Sequence, residues 1–178
     1  LFLHKTHPMN YILFDGPIRN NLLPLTYTRP VAEIRVGILT IREKWEAYLE
    51  STITFVTEDY LSDKFPMVEF DENIFINASF LPNPKIINLI VNLKPNELIN
   101  SGDDLLAFYS SESQDKIDLG SFKKIDYNEN VLQIRCLTDI FKINSLAIEE
   151  DFKFLIKNRH SSKISNTNNL INSDNIFI

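Results

Sequence analysis

Short apolar strands that alternate with helices are the feature that most constrains the fold of this chain. Residues 11–14, 53–56 and 73–77 are brief apolar runs typical of buried strands, and each is followed by a loop and then by a helical pattern. Repeated alternation of strand, loop and helix is typical of proteins in which helices pack on a largely parallel sheet. We therefore predict an α/β layer fold with a mainly parallel sheet.

Helix start signals favour the same architecture. Thr40 and Glu43 have the spacing of a capping box and precede an apolar helical face, which predicts a helix directly after Thr40. Asn83 followed by Pro84 combines a capping residue with a proline at the first helical position, which predicts a second long helix. After Cys136 the pattern is helical again, and Ser145 is the expected cap of that last helix.

The remaining elements are predicted from shorter signals. Residues 57–61 indicate a helical turn, and residues 105–109 and 131–135 indicate two further strands. The polar stretch 110–118 between those strands is expected to be a surface loop.

Charge and cysteine content exclude several classes of protein. The chain has 18 Lys+Arg against 24 Asp+Glu, a net charge of −6, so it lacks the basic face of a general nucleic-acid binder. Cys136 is the single cysteine, which excludes an internal disulfide and a cysteine-based zinc site and favours a reducing, cytoplasmic location. No run approaches the roughly 18 apolar residues of a membrane helix, and no membrane association is expected.

The two ends of the sequence differ from its middle. Met9 has the character of a native start, so residues 1–8 are interpreted as a leader or a non-native remnant. Residues 159–174 are almost wholly Ser, Asn, Lys and Thr, which predicts a polar linker. The strand-like residues 175–178 end the chain abruptly, which suggests truncation.

The long segment 15–37 is the candidate for a binding loop. It follows the first strand, contains three prolines, and brings Arg19, Arg29 and Arg35 within 17 positions. Loops at the carboxyl end of a first strand bind ligands in open α/β sheets, and arginine forks suit phosphate oxygens. Alternatively, these arginines solvate the loop or pair with Asp15 and Glu33.

Residues 24–30, Pro-Leu-Thr-Tyr-Thr-Arg-Pro, resemble the signature loop of sugar-1-phosphate nucleotidyltransferases. The similarity is closer to a bacterial subfamily similar to the bifunctional N-acetylglucosamine-1-phosphate uridylyltransferase and glucosamine-1-phosphate acetyltransferase, and it is carried by several stretches. These are residues 14–30, 37–45, 57–61, 76–83 and 144–152. In that subfamily the Asn-Ile-Phe-Ile ending leads into a β-helix of hexapeptide repeats, which this chain lacks.

The resemblance implies a Rossmann-like nucleotidyltransferase domain over residues 9–158, with residues 159–178 as the linker and start of the missing β-helix. It implies transfer of a nucleotidyl group from a nucleoside triphosphate, UTP or dTTP, to a sugar 1-phosphate, giving an NDP-sugar and pyrophosphate. The product expected first is of the UDP-N-acetylglucosamine type, with Mg²⁺ as cofactor. Homo-oligomers would form through the missing β-helix.

The resemblance also assigns roles to individual side chains. Arg29 and Arg35 are the expected catalytic residues. The residues assigned to substrate binding are Asp15, Gly16, Arg19, Thr26, Thr28 and Asn77. Asn77, Asp103 and Asp104 are the candidates for holding Mg²⁺, although adjacent aspartates at a strand start also suit a turn.

Three departures from the family pattern keep a second function open. The turn after the first strand has one glycine, Gly16, and then Pro17, which lacks an N–H. Val31 stands where the family has lysine, and 77–79 reads Asn-Ala-Ser in place of Gly-Asp. The alternative is a catalytically degenerate domain that binds a nucleotide or nothing and organises an acyltransferase.

Overall fold

A computed structural model of the chain describes residues 9–112 and 117–178, which contain a six-stranded sheet and four α-helices. The strands are β1 Asn10–Phe14, β2 Thr54–Val56, β3 Asn73–Asn77, β4 Glu97–Ser101, β5 Asp104–Ser110 and β6 Lys123–Asp126. The helices are α1 Ile41–Leu49, α2 Asp59–Ser62, α3 Pro84–Val91 and α4 Leu137–Ile156. The predicted leader, residues 1–8, lies outside the described residues.

The sheet is mixed and mostly parallel, with the strand order β2-β1-β3-β5-β4-β6. β1 runs parallel to β2 and β3, and β4 runs parallel to β6, whereas β5 is antiparallel to both of its neighbours. The predicted α/β layer fold with a mainly parallel mixed sheet is confirmed. Because β5 is antiparallel to β3, its amino end lies at the same edge as the carboxyl ends of β1, β2 and β3.

Alternate side chains of the strands supply two apolar layers, because successive side chains point to opposite faces of a sheet. The larger layer packs against α1, α3 and α4 and includes Leu13, Ile76, Ala107, Trp45 and Ile90. The smaller layer on the other face includes Ile12, Phe75, Leu98, Phe108 and Phe122. The rings of Phe75 and Phe108 stack with centroids 4.7 Å apart.

The predicted helix starts at Thr40 and Asn83 are confirmed. The Thr40 hydroxyl accepts from the Glu43 N–H and the Glu43 carboxylate accepts from the Thr40 N–H, which completes the capping box of α1. The Asn83 side chain accepts from the N–H groups of Lys85 and Ile86 at the start of α3. Both signals lie within four consecutive residues, so neither depends on distant contacts.

The predicted strand over 131–135 is wrong, and strands β4 and β6 were missed. Residues 131–135 form only an isolated bridge between Gln133 and Phe80. The Leu81 N–H donates to the Leu132 carbonyl and the Ile134 N–H donates to the Ser79 carbonyl, so this segment pairs with the chain beyond β3. The extended segment therefore lies beside the loop after β3 and is not part of the sheet.

The predicted cap at Ser145 is also wrong, because Ser145 lies inside α4. The helix begins after Cys136, where the Asp139 carboxylate accepts from the N–H groups of Arg135 and Cys136. This capping interaction, rather than a serine, starts the helix nine residues earlier than Ser145 suggests.

The chain after α4 contains one short 3₁₀ turn at Ser173–Asn175 and is largely exposed. The Phe177 ring packs edge-on against Phe152 of α4. The division of the chain at residue 159 stays a prediction. In the predicted loop 110–118, Ser110 belongs to β5 and residues 113–116 lie outside the described residues. Among the residues that the structure describes, no helix is both long and apolar enough to span a membrane.

Candidate functional site

An open crevice of about 520 Å³ lies at the sheet edge where β1 and β2 end. One wall is the start of the loop after β1, and the other is the segment that joins β2 to α2. The lining residues are Asp15, Gly16, Pro17, Arg19, Asn20, Val56, Thr57, Glu58 and Asp59. The position agrees with the predicted binding loop, since ligands of open α/β sheets bind beyond the carboxyl ends of the strands.

The Asp15 carboxylate fastens the two walls together. Its Oδ1 accepts from the Val31 N–H (2.8 Å), and its Oδ2 accepts from the Thr57 hydroxyl (2.7 Å) and from Arg19 Nε (3.2 Å). Burial raises the pKa of the Asp15 carboxyl, while these hydrogen bonds and the charge of Arg19 oppose the shift. Both oxygens are therefore already in use within the protein.

Arg19 is a buried brace for the loop after β1. Its Nη2 donates to the Thr26 carbonyl (2.6 Å) and to the Tyr60 hydroxyl (2.8 Å), and its Nη1 lies 3.7 Å from Glu58 Oε1. The buried Thr26 hydroxyl donates back to the Arg19 carbonyl (3.0 Å). The family resemblance assigns Arg19 and Thr26 to substrate binding, but most of their hydrogen-bonding groups bind other parts of the protein and hold the loop in place.

Gly16 touches the Asn77 side chain across the top of the sheet. A Cβ added at Gly16 would lie 2.9 Å from Asn77 Nδ2 and 3.0 Å from its Oδ1. The Asn77 amide is itself fixed, because it donates to the Leu105 carbonyl (2.9 Å) and accepts from the Ser79 N–H (3.0 Å). Glycine is required here by this close approach, and the predicted site residues Asp15, Gly16 and Asn77 meet at one edge.

Thr28, Arg29 and Arg35 lie away from the crevice lining. Thr28 and Arg29 are exposed, and Arg29 has no hydrogen-bond or ion-pair partner within residues 9–112 and 117–178. The Arg35 guanidinium donates to the Ile38 carbonyl and lies 3.6 Å from Glu43 Oε2. Arg35 therefore bridges the turn before α1, and of the three arginines of the loop 15–37, Arg29 alone keeps its whole guanidinium available among the described residues.

The far end of the loop is clamped by α4. Gly37 has φ +84°, and its N–H donates to the Asn144 side chain (2.8 Å). The Asp151 carboxylate accepts from the Ile38 N–H (2.8 Å) and forms a buried ion pair with Lys44. A glycine is needed at residue 37 both for the left-handed backbone and because a Cβ would lie 2.6 Å from Asp151.

Asp103 is exposed in the turn between β4 and β5, whereas Asp104 begins β5 and contacts other polar side chains. Its Oδ2 lies 2.8 Å from Arg135 Nη2 and 3.2 Å from Gln133 Nε2. Gln133 also donates to the buried Ser79 hydroxyl (3.1 Å) and accepts from Arg135 Nε (2.8 Å). We call Ser79, Asp104, Gln133 and Arg135 the edge cluster.

The candidate magnesium ligands each have other contacts or lie apart in the structure, and their role stays a prediction. Within the described ranges, no group of three or more His, Cys, Asp or Glu side chains could hold a metal ion. The oxygens of Asp15 and Asn77 are engaged as above, Asp104 pairs with Arg135, and Asp103 is exposed. A preformed oxygen cage for Mg²⁺ is therefore not built from these residues.

A known protein family matches most of this chain. The model of the family described as sugar nucleotidyl transferase matches residues 11–160, nearly all of the sheet and all four helices. The chain belongs to the sugar nucleotidyl transferase family. Membership confirms the coarse prediction of a nucleotidyltransferase fold and family, while the resemblance to the uridylyltransferase subfamily stays a proposal.

Two solved structures were compared with this chain, and the first of them supports the fold. A candidate glucose-1-phosphate thymidylyltransferase from Bacillus anthracis, solved in complex with a sucrose, is 10% identical with a TM-score of 0.50, covering 79% of this chain and 96% of that one. A CTP:phosphocholine cytidylyltransferase from Streptococcus pneumoniae is 13% identical with a TM-score of 0.42, covering 78% and 98%. No curated protein matches the sequence.

Several polar groups at this edge had no role assigned to them from the sequence. Thr57, Glu58 and Tyr60 lie in one of the stretches that carry the family resemblance, so that stretch was the signal for the second crevice wall. Gln133 and Arg135 had no such signal, because a wrong strand prediction placed them in the sheet.

Proposed function

We propose that this chain transfers a nucleotidyl group from a nucleoside triphosphate to a sugar 1-phosphate, releasing pyrophosphate. Family membership over residues 11–160 supports a nucleotidyltransferase. The single observation that carries the proposal is the meeting of Asp15, Gly16 and Asn77 beside a crevice at the shared strand edge. UTP or dTTP as donor and a product of the UDP-N-acetylglucosamine type are the specific substrates proposed first.

The reaction needs positioning more than it needs a protein nucleophile. A phosphate oxygen of the sugar 1-phosphate attacks the α-phosphorus in line, the new P–O bond forms, and the bond to pyrophosphate breaks. Holding the two substrates in line removes the entropy cost of their encounter, and cationic donors stabilise the charge on the transferring group. The chain therefore needs a nucleoside pocket and nearby cations.

The crevice suits the uncharged part of a nucleotide. Asn20, Glu58 and Asp59 offer oxygens that can accept from base N–H and ribose O–H groups. The one cation of its lining, Arg19, is already paired with Asp15 and Glu58. An acidic lining of this kind repels phosphates, so we propose that the base and ribose bind here and the phosphates extend out of the crevice.

Arg29 is the proposed partner of the phosphates on the loop side. Its side chain is exposed and keeps all of its donors, whereas Arg35 is partly used by the turn before α1. Mg²⁺ enters the proposal as the ion that accompanies a nucleoside triphosphate, since the described residues contain no group of three or more His, Cys, Asp or Glu side chains that could hold it alone.

A non-catalytic domain is the second candidate. It is favoured by the internal use of Arg19 and Thr26 and by Val31, which is fully buried where the family has lysine. In that case the crevice would bind a nucleotide without turnover, or nothing, and the domain would organise an attached acyltransferase.

Pyrophosphate release separates the two candidates. The purified chain is assayed with Mg²⁺, five nucleoside triphosphates, and glucose 1-phosphate or N-acetylglucosamine 1-phosphate. We expect pyrophosphate release from one matched pair of substrates. The rate should fall about 10- to 100-fold in Arg29→Ala, because a charge-assisted contact is lost, and it should not change in Arg159→Ala. Arg159 is also exposed and lies outside the crevice lining, so it is the matched control. Nucleotide binding without release from any pair would favour the non-catalytic domain.

A further inference from the structure

The edge cluster places an oriented arginine beside the candidate site, and nothing in the family resemblance assigned it a role. We propose that Arg135 binds the phosphate group of the sugar 1-phosphate, an inference that rests on the function proposed above. Arg135 would then supply the second cation that the reaction needs, on the opposite side of Asn77 from the crevice.

The guanidinium of Arg135 is held by two of its nitrogens and presents the third. Nε donates to Gln133 Oε1 (2.8 Å), and Nη2 lies 2.8 Å from Asp104 Oδ2. Nη1 has no partner in the part of the chain that the structure describes, and the side chain is 63% exposed. A planar fork fixed in this way keeps two N–H groups for an incoming oxyanion.

The partners of Arg135 are themselves anchored. Gln133 donates to the hydroxyl of Ser79, which is fully buried directly beyond β3. The backbone N–H of Arg135 donates to the Asp139 carboxylate (2.9 Å) at the start of α4. Because both the backbone and the side chain are fixed, binding an anion would cost little additional side-chain ordering.

The sheet register brings the edge cluster to the same edge as the crevice. Ile76 of β3 pairs with Ala107 of the antiparallel β5, so Asp104 lies beside the chain just beyond β3. The Asn77 amide donates to the Leu105 carbonyl, directly after Asp104. In the strand order β2-β1-β3-β5, the crevice lies at β1 and β2 and the edge cluster lies at β5. Asn77 therefore separates the two.

A reaction between two phosphate-bearing substrates fits this arrangement. The acidic crevice takes the uncharged nucleoside, and the phosphates must then extend along the edge past Asn77. A sugar 1-phosphate that approaches from the β5 side would meet the exposed N–H groups of Arg135 first. An Arg135–Asp104 pair that served the fold alone would contribute little, because exposed ion pairs are weak.

Calorimetric titration of Arg135→Gln tests this inference, with glucose 1-phosphate, N-acetylglucosamine 1-phosphate and UTP as the probes and Arg159→Gln as the matched control. We expect the Kd for the preferred sugar 1-phosphate to rise about 10- to 100-fold in Arg135→Gln, since one charge-assisted contact is lost. The Kd for UTP should change by less than about threefold, and Arg159→Gln should bind like the wild type. Arg135→Lys keeps the charge without the fork and should fall between the two.

The outcomes distinguish this inference from the proposed function. If the wild type binds the sugar 1-phosphate but releases no pyrophosphate, and Arg135→Gln loses that binding, the proposed function fails and the binding role of Arg135 stands. If the wild type turns over and Arg135→Gln binds the sugar 1-phosphate normally, the inference fails and the function stands. A wild type that binds neither sugar 1-phosphate, or a variant that loses only UTP binding, also overturns the inference. Thermal unfolding of Arg135→Lys and Arg135→Gln checks that both variants are folded.

Discussion

The loop after β1 and the segment before α4 each bring an arginine to the same sheet edge, in opposite states. Arg19 is buried, and its donors are used by Asp15, Thr26 and Tyr60. Arg135 is exposed and held by two partners, with one nitrogen left over. An arginine in the predicted binding loop can therefore serve the fold, while one outside any recognised motif can be better placed to meet a ligand.

Replacing Arg19 is the change expected to have the largest effect. Arg19→Ala leaves the buried Asp15 carboxylate without its cation and removes the brace to Thr26 and Tyr60. Breaking a buried ion pair of this kind costs about 3 kcal/mol in the free energy of unfolding. Urea denaturation measures the loss, and Arg29→Ala should stay within about 0.5 kcal/mol of the wild type as its control. A loss below about 1 kcal/mol for Arg19→Ala would mean that Arg19 is not a brace.

Gly16→Ala tests the contact between the two sides of the edge. The added Cβ would lie 2.9 Å from the Asn77 amide, which is fixed by Leu105 and Ser79. We expect destabilisation of about 1–3 kcal/mol from overpacking, measured by denaturant unfolding.

A double variant supplies the control for Gly16→Ala. If the clash is with the Asn77 side chain, then Gly16→Ala in an Asn77→Ala background should cost much less than it does alone. Additive losses in the two single variants would contradict the proposed contact and would point to a different origin of the strain.

Four elements at the centre of the fold could be predicted from the sequence because their signals are local. The capping box at Thr40 and the Asn83-Pro84 pair need only a few consecutive residues, and the apolar runs of β1 and β3 are buried throughout except for the partly exposed Phe14. Strand β6 could not be predicted, since Lys123–Asp126 has a single apolar residue and lies at the edge of the sheet.

The candidate site was predicted in part. Four of the predicted residues lie together at one edge: Asp15, Gly16, Arg19 and Asn77. Whether each side chain holds the fold or is left to bind a ligand depends on its tertiary partners. Tyr60 lies 41 residues from Arg19 in sequence, and no local pattern links the two. The same limit applies to the edge cluster, because Gln133 and Ser79 are 54 residues apart.

The smallest effect on stability is expected from replacing Asp139, whose carboxylate accepts a hydrogen bond from the backbone N–H of Arg135. Hydrogen bonds from the backbone N–H groups of Arg135 and Cys136 lower the pKa of Asp139. Asp139→Ala should cost about 1 kcal/mol at neutral pH, as expected for the loss of a capping group. A carboxylate with a lowered folded-state pKa stabilises the fold above its unfolded-state value of about 3.9, and this stabilisation is lost as the pH falls through the lowered value.

Urea unfolding of Asp139→Ala and the wild type at several pH values checks that sign. The difference between the two proteins should be full above about pH 5 and should shrink at lower pH. A difference that grows as the pH falls would contradict the assigned cause of the pKa shift.

The proposed function and the proposed role of Arg135 together require two substrates to bind along one sheet edge, on either side of Asn77. Backbone amide chemical shifts of the labelled protein, followed during separate titrations with UTP and a sugar 1-phosphate, test it most directly. We expect UTP to shift the amides of residues 15, 16, 18–20 and 56–59, and the sugar 1-phosphate to shift those of residues 77–79 and 133–136. Shifts confined to the helical side around α1, α3 and α4, or the same set of shifts with both ligands, would contradict it.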